Sequence, residues 1–278
     1  MEQEFNCTWV YDGKFYMRDG KLLGYTPPMP KASLTPQTGI IYTDGLPSDW
    51  NIMKEIGMAI SEASDSINAN TTESVYVSKG NTWAYKITPG DTISVNNHSY
   101  AVMGFNNYQL TNKANYGGNH SYAGLTFGMV DCSGESKMNS TITNSGGWGE
   151  CEMRIYTMAR LETLIPDAKA QVRIPYYPNS NSSSMLYSDD YMFLPAEKEV
   201  FGARRMSPSG EANALTQYAY YKNGRSKIKN YNGSANYWWL RSVYGALNSD
   251  YFCAVDIDGG SSGRPAGYTD AVAPCFCI

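Results

Sequence analysis

Residues 236–278 constrain this chain more than any other stretch, because two apolar cassettes bracket a segment that cannot itself be core. The first cassette is Asn236-Tyr-Trp-Trp-Leu-Arg-Ser242, an aromatic run ending in Leu-Arg-Ser. The second is Ala273-Pro-Cys-Phe-Cys-Ile278, which has the composition of a buried strand. Between them the chain is dominated by Gly, Ser, Asp, Ala, Tyr and Asn. That segment is too poor in large aliphatic residues for an interior, yet it stands where a chain closes its sheet. A rigid frame holding an irregular polar and aromatic surface points to binding rather than catalysis.

The totals agree. A chain of 278 residues holds one large domain, or a main domain with a smaller one, and 42% hydrophobic content is enough for a core. Charged residues stand at 17%, below the usual quarter, while there are 23 Tyr and 26 Gly. Tyrosine covers a large contact area with few rotamers to freeze, so a neutral, tyrosine-rich surface suits recognition. A net charge of −4 and a pI near 5.3 turn the expectation away from nucleic acid. Apolar runs fall short of the roughly 20 residues that span a bilayer, so no membrane insertion is expected. The opening Met1-Glu-Gln-Glu-Phe5 has no basic start followed by an apolar region, which implies synthesis in the cytoplasm without a signal peptide.

Candidate chemistry is sparse. The six cysteines (Cys7, Cys132, Cys151, Cys253, Cys275, Cys277) are expected to be reduced and mostly buried. The two histidines, His98 and His120, each lie near Asn in an expected loop and form no triad or metal trio. Asp256 and Asp258 have the spacing of strand-borne calcium ligands, but Asp258-Gly259 is equally a turn signal. No catalytic residue, metal site or cofactor is assigned.

Along the chain, residues 1–47 are irregular, with short aromatic runs (Cys7–Tyr11, Lys14–Met17) broken by Asp-Gly turns and then by Thr26-Pro-Pro-Met-Pro30. A helix is expected over about 48–68, capped by Ser48, with Ile52, Ile56, Ala59, Ile60, Ala63 and Ile67 on one face. Its apolar stripe requires docking, either onto the main domain or onto another subunit's copy. Residues 1–87 are therefore assigned to attachment and oligomerisation. Period-two patterning then predicts hairpins at Val75–Ile87 and Thr92–Phe105, a loop over Asn106–His120 and a buried strand over Ala123–Val130. A second helix is expected over Gly149–Ile165, stopped by Pro166, with a short helix after Pro195. The class is α+β.

Several motifs, in order, carry a resemblance. They are Gly90-Asp-Thr92, Met138-Asn-Ser-Thr141, Gly146-Gly147, Glu152-Met-Arg154, Phe193-Leu-Pro195, Glu199-Val-Phe-Gly202, Trp238-Trp-Leu-Arg-Ser242, Phe252-Cys253 and Ala273–Ile278. Over about residues 88–278 the chain resembles a C-type-lectin-like family of gut bacteria and phages, related in fold to the formylglycine-generating enzyme. The resemblance implies a lectin-like domain over 88–278 and a role as a phage tail or fibre-tip protein. In relatives diversified by retroelements, the final loops vary while the strands stay fixed. Carried over, the variable-type surface at about 243–271 would comprise Val243, Tyr244, Gly245, Ala246, Asn248, Ser249, Asp250, Tyr251, Asp256, Gly260, Ser261, Ser262, Arg264, Tyr268, Thr269 and Asp270. The family usually has proline where Val243 stands. Implied partners are a bacterial surface protein or glycan, other virion subunits and further copies of this chain, a trimer among the options. The location would be the virion or a bacterial surface. A bacterial adhesin of the same fold is the alternative, and an enzyme using Cys275 and Cys277 a more distant one.

Overall fold

In the computed structural model, which describes residues 28–111, 120–245 and 249–278 and the three strands before residue 26, the two C-terminal cassettes fall in two different five-stranded sheets. The N-terminal strands β1 (Cys7–Tyr11), β2 (Lys14–Met17) and β3 (Leu22–Tyr25) form an antiparallel meander, as the aromatic runs imply. Next come β4 (Lys31–Ser33), β5 (Thr43–Asp44), helix α1 (Trp50–Glu62), β6 (Val75–Lys79) and β7 (Trp83–Ile87), whose strands make a sheet ordered β4-β6-β7-β5.

The cap of α1 is Asp49 rather than Ser48, its carboxylate accepting from Asn51 N at 2.8 Å. The helix also stops six residues short of 68. Asn106 Nδ2 donates to the carbonyls of Ile60 (2.9 Å) and Ile67 (2.7 Å), so a buried side chain takes up acceptors that a longer helix would have used internally. Met53, Ile56, Ala59 and Ile60 are buried, and Ile52 is only partly so. This face docks on the main domain. Backbones approach so closely there that a Cβ on Gly124 would lie 2.0 Å from Gly57 O.

The main body begins with β8 (Thr92–Val95) and β9 (His98–Gln109), joined through Asn96 and Asn97, both at positive φ. β10 (Tyr122–Met129) pairs with β9 along its length. Residues 106–109 thus continue a strand where a loop is expected, since Tyr108 and Leu110 still alternate into the core. β11 (Gly134–Ser136), a one-turn α2 (Gly147–Glu150), a π-helical turn (Met153–Met158), α3 (Ala159–Leu161) and a 3-10 turn (Glu162–Leu164) follow. The single helix expected over 149–165 is therefore interrupted. Cys151 is extended (ψ 148°), because the N–H groups of Glu152 and Met153 bond to Asn139 Oδ1 and Met138 O instead of within a helix. Ile155, within the span expected to be one helix, is 46% exposed.

The remaining elements are β12 (Val172–Tyr176), β13 (Leu186–Asp190), β14 (Met192–Phe193), α4 (Glu197–Phe201), α5 (Glu211–Ala214), α6 (Ala219–Lys222), β15 (Lys229–Tyr231), β16 (Ser234–Asn236), β17 (Trp238–Val243), β18 (Tyr251–Val255), β19 (Ser261–Pro265), β20 (Asp270–Val272) and β21 (Cys275–Cys277). One sheet runs β14-β21-β10-β9-β8 and the other β11-β20-β17-β18-β19. The fold is α+β with strands predominating. One hydrophobic core takes Met53 and Ile56 from α1, Phe105 from β9, Leu125 from β10, Trp238 from β17 and Phe276 from β21. The boundary drawn at 87/88 does not separate two cores, because α1 completes the one beneath β9 and β10. No helix among the described residues is long and apolar enough to cross a membrane.

Candidate ligand-binding surface

The surface grows from β17, whose six residues are all buried. Trp238 and Trp239 tie their indole N–H groups to Lys227 O and Ser136 O, both at 2.9 Å. Arg241 reaches inward and forks onto Glu199, Nη1 to Oε2 and Nη2 to Oε1, each at 2.7 Å. Two further donors go to Pro175 O (3.1 Å) and Leu194 O (2.9 Å). Glu199 also accepts from Tyr108 Oη (2.6 Å) and Ala196 N (2.7 Å), and the Tyr108 and Tyr218 hydroxyls bond to each other. A buried ion pair of this kind persists because four of the five guanidinium donors and both carboxylate oxygens are hydrogen-bonded. The conspicuous Trp-Trp-Leu-Arg run is thus framework.

A second buried carboxylate, Glu197, fastens the outer edge. It accepts from the backbone N–H groups of Arg205 (3.0 Å), Met206 (2.9 Å) and Ser207 (2.9 Å) and from the Ser261 hydroxyl (2.5 Å). Burial alone would raise its pKa, but these hydrogen bonds outweigh burial and hold the carboxyl below its usual range. Glu197 N donates to Ser242 Oγ at 2.8 Å, and that hydroxyl donates to Glu211 Oε1 at 2.8 Å. Burial pushes Glu211 up to about 7 against the opposing effects of Ser242 and Arg241.

On this support lie the side chains singled out from sequence. Tyr244 and Tyr251, both half-buried, face each other with ring centroids 6.0 Å apart. Gly263 leaves the room they need, since a Cβ there would meet Tyr244 Cδ2 at 2.6 Å. Gly245 packs on the 206–208 segment, its N–H bonded to Met206 O at 2.7 Å. Arg264 forks onto Asp270 (2.8 and 2.9 Å), with its guanidinium 4.5 Å from the Tyr237 ring centre and 5.0 Å from that of Tyr268. Ser249, Tyr268 and Thr269 are exposed, while Asp250, Asp256, Gly260, Ser261 and Ser262 are half-buried.

Two residues of the expected outward set do not point outward. Val243 is 1% exposed, because β17 extends through it to pair with Phe252 and its side chain enters the core. Asp270 is 3% exposed, held as the counter-ion of Arg264 at the start of β20. Ala246 and Asn248 lie outside the described residues. Asp256 serves its own turn, Oδ1 accepting from Asp258 N (3.0 Å) and Gly260 N (2.7 Å). Among the described residues no three His, Cys, Asp or Glu side chains are grouped to hold a metal.

Sequence reasoning missed three contributors. Tyr237 stacks on Arg264, and Ile142, 56% exposed, packs at Gly267. Asn144 is buried beneath them, its N–H donating to Ser249 O (2.6 Å) and its amide to Tyr251 O (2.9 Å). Tyr237 was legible as the aromatic adjoining the Trp pair, but the loop at 139–144 has no local signal linking it to residues a hundred positions away. The thiols are quiet. Cys275 and Cys277 are buried, and burial lifts the first to about 12 and the second further still.

The Domain of unknown function DUF6273 matches residues 121–278, from β10 through β21. The chain belongs to the DUF6273 family. The whole candidate surface, with Glu197, Glu199 and Arg241 below it, falls inside the DUF6273 domain, whereas β9, the partner of β10, precedes it. No curated protein and no solved structure matches the chain.

Proposed function

We propose that the DUF6273 domain here is a binding module of C-type-lectin-like design that presents residues 244–269 to a ligand on a bacterial surface. The observation that carries this is the contrast between the two layers of residues 236–278. The lower layer is buried and tied by charge-assisted hydrogen bonds, and the upper one is a half-exposed set of Tyr, Ser and Arg on the edge strand β19 and its turns. Rigid aromatic side chains on a preorganised frame gain contact area at low entropic cost. The natural setting for such a module is a phage tail or fibre tip carrying several copies, where weak individual contacts add through avidity. The role is non-enzymatic. Cys275 and Cys277 have neither the exposure nor the lowered pKa that thiol chemistry needs.

The test is adsorption of the purified chain to a panel of intact bacteria and to their isolated envelope glycans and proteins. Binding to some members, lost in the triple variant Tyr244→Ala, Tyr251→Ala and Tyr268→Ala, is the expected outcome. Unchanged adsorption by that variant removes the site.

A further inference from the structure

Away from this surface, a cleft of about 250 Å³ opens between the β9/β10 pair and the β12/β13 hairpin. It is lined by Asn107, Gln109, Tyr122, Arg173, Tyr187 and Leu215 among others, and none of the described residues lining it is acidic. Arg173 makes no ion pair or hydrogen bond among the described residues, although Asp189 is its cross-strand neighbour. What holds it is Tyr187, whose ring centre is 4.0 Å from the guanidinium carbon. Stacking fixes the plane of the fork and leaves its five N–H donors unspent, the arrangement that receives a carboxylate in two parallel hydrogen bonds. Tyr187 is itself 52% exposed, and Tyr122 is half-buried. The amide side chains of Asn107 and Gln109 line the same cleft.

We propose that this cleft is a subsite for one acidic sugar residue, a pyranose bearing a carboxylate, separate from the 244–269 surface. Its volume lies below the roughly 300–1,000 Å³ of drug-sized sites and accommodates a single ring rather than a larger ligand. The carboxylate takes the Arg173 fork. The apolar ring face lies on exposed tyrosine, and the ring hydroxyls meet the amides of Asn107 and Gln109. An acidic peptide would use the same arginine, but it has no set of hydroxyls for the amides and no flat C–H face for the aromatic rings.

The experiment is a titration of the full chain, followed by NMR, with methyl β-D-glucuronide, methyl β-D-glucoside and a blocked glutamate dipeptide. Glucuronide binding at least roughly 10-fold tighter than that of either competitor is expected, a difference of about 1.4 kcal/mol for one charge-assisted pair. Arg173→Gln and Tyr187→Ala should each weaken the glucuronide by a similar factor, and Arg173→Lys should rescue the first in part. Both side chains are exposed, so the variants keep the fold. Tyr268→Ala should leave glucuronide binding unchanged, which separates this site from the surface proposed above. Equal binding of the glucoside, tighter binding of the dipeptide, no binding at all, or indifference to Arg173→Gln would overturn the proposal.

Discussion

Replacing Glu197 with Gln should cost far more than its position beside a solvent-facing strand implies. Glu197 is fully buried and accepts from three consecutive backbone N–H groups and from the Ser261 hydroxyl. Glutamine retains one acceptor oxygen, so about two of these four donors would face an NH₂ group. Hydrogen bonds to a charged acceptor contribute roughly 1.5–3 kcal/mol each. Removing the cost of burying the charge offsets part of the loss, leaving a destabilisation of about 2–4 kcal/mol. That is a large fraction of the 5–15 kcal/mol typical of a domain. Urea unfolding reads the total, and hydrogen exchange by mass spectrometry over 203–209 and 259–263 reads where it falls. The wild-type advantage also has a defined pH range. The folded pKa of Glu197 is lowered, so its contribution is present above the unfolded carboxylate value near ~4.3 and is lost as pH falls through the lowered folded value. An unchanged urea midpoint together with unchanged exchange at 205–207 would refute the role assigned to this carboxylate.

Glu211 should behave in the opposite sense. Its folded pKa is raised to about 7, so the native state holds the extra proton and stability falls as pH rises from the unfolded value through 7, by about 3 kcal/mol in all. Glu211→Gln should flatten that slope in urea midpoints measured between pH 5 and 8, and an identical slope would contradict it. Gly263→Ala should displace the Tyr244 ring, at a cost of about 1 kcal/mol, visible as altered Tyr244 and Tyr251 ring resonances; unaltered resonances would contradict the role given to Gly263. Cys151, Cys253, Cys275 and Cys277 should resist maleimide at pH 8 until the fold is opened with denaturant, and rapid labelling of Cys275 in the native state would reopen a redox reading.

Sequence legibility followed the range of the interactions involved. The hairpin β6/β7, the Asn96-Asn97 turn and the burial of the Trp-Trp-Leu-Arg run were readable because alternation, turn residues and aromatic runs act locally. The break at Cys151 was not, because it is imposed by carbonyl and amide partners on the 138–139 segment. β19 escaped notice because Ser-Ser-Gly-Arg-Pro has no apolar alternation. As an edge strand it is set by its ladder with β18 and by Ser261 on Glu197. Val243 and Asp270 were misplaced for a related reason. Each sits at the limit of a strand, and only the pairing partners, Phe252 for one and the Arg264 fork for the other, decide which way the side chain turns.

The claim that residues 244–269 meet the ligand is tested most directly by hydrogen exchange on the chain with and without an envelope fraction that it adsorbs. Protection should rise at 249–252 and 261–269, while the amides of β17 and β21, already buried, stay unchanged. Protection confined to the N-terminal sheet or to α1, with none over 261–269, would contradict the account.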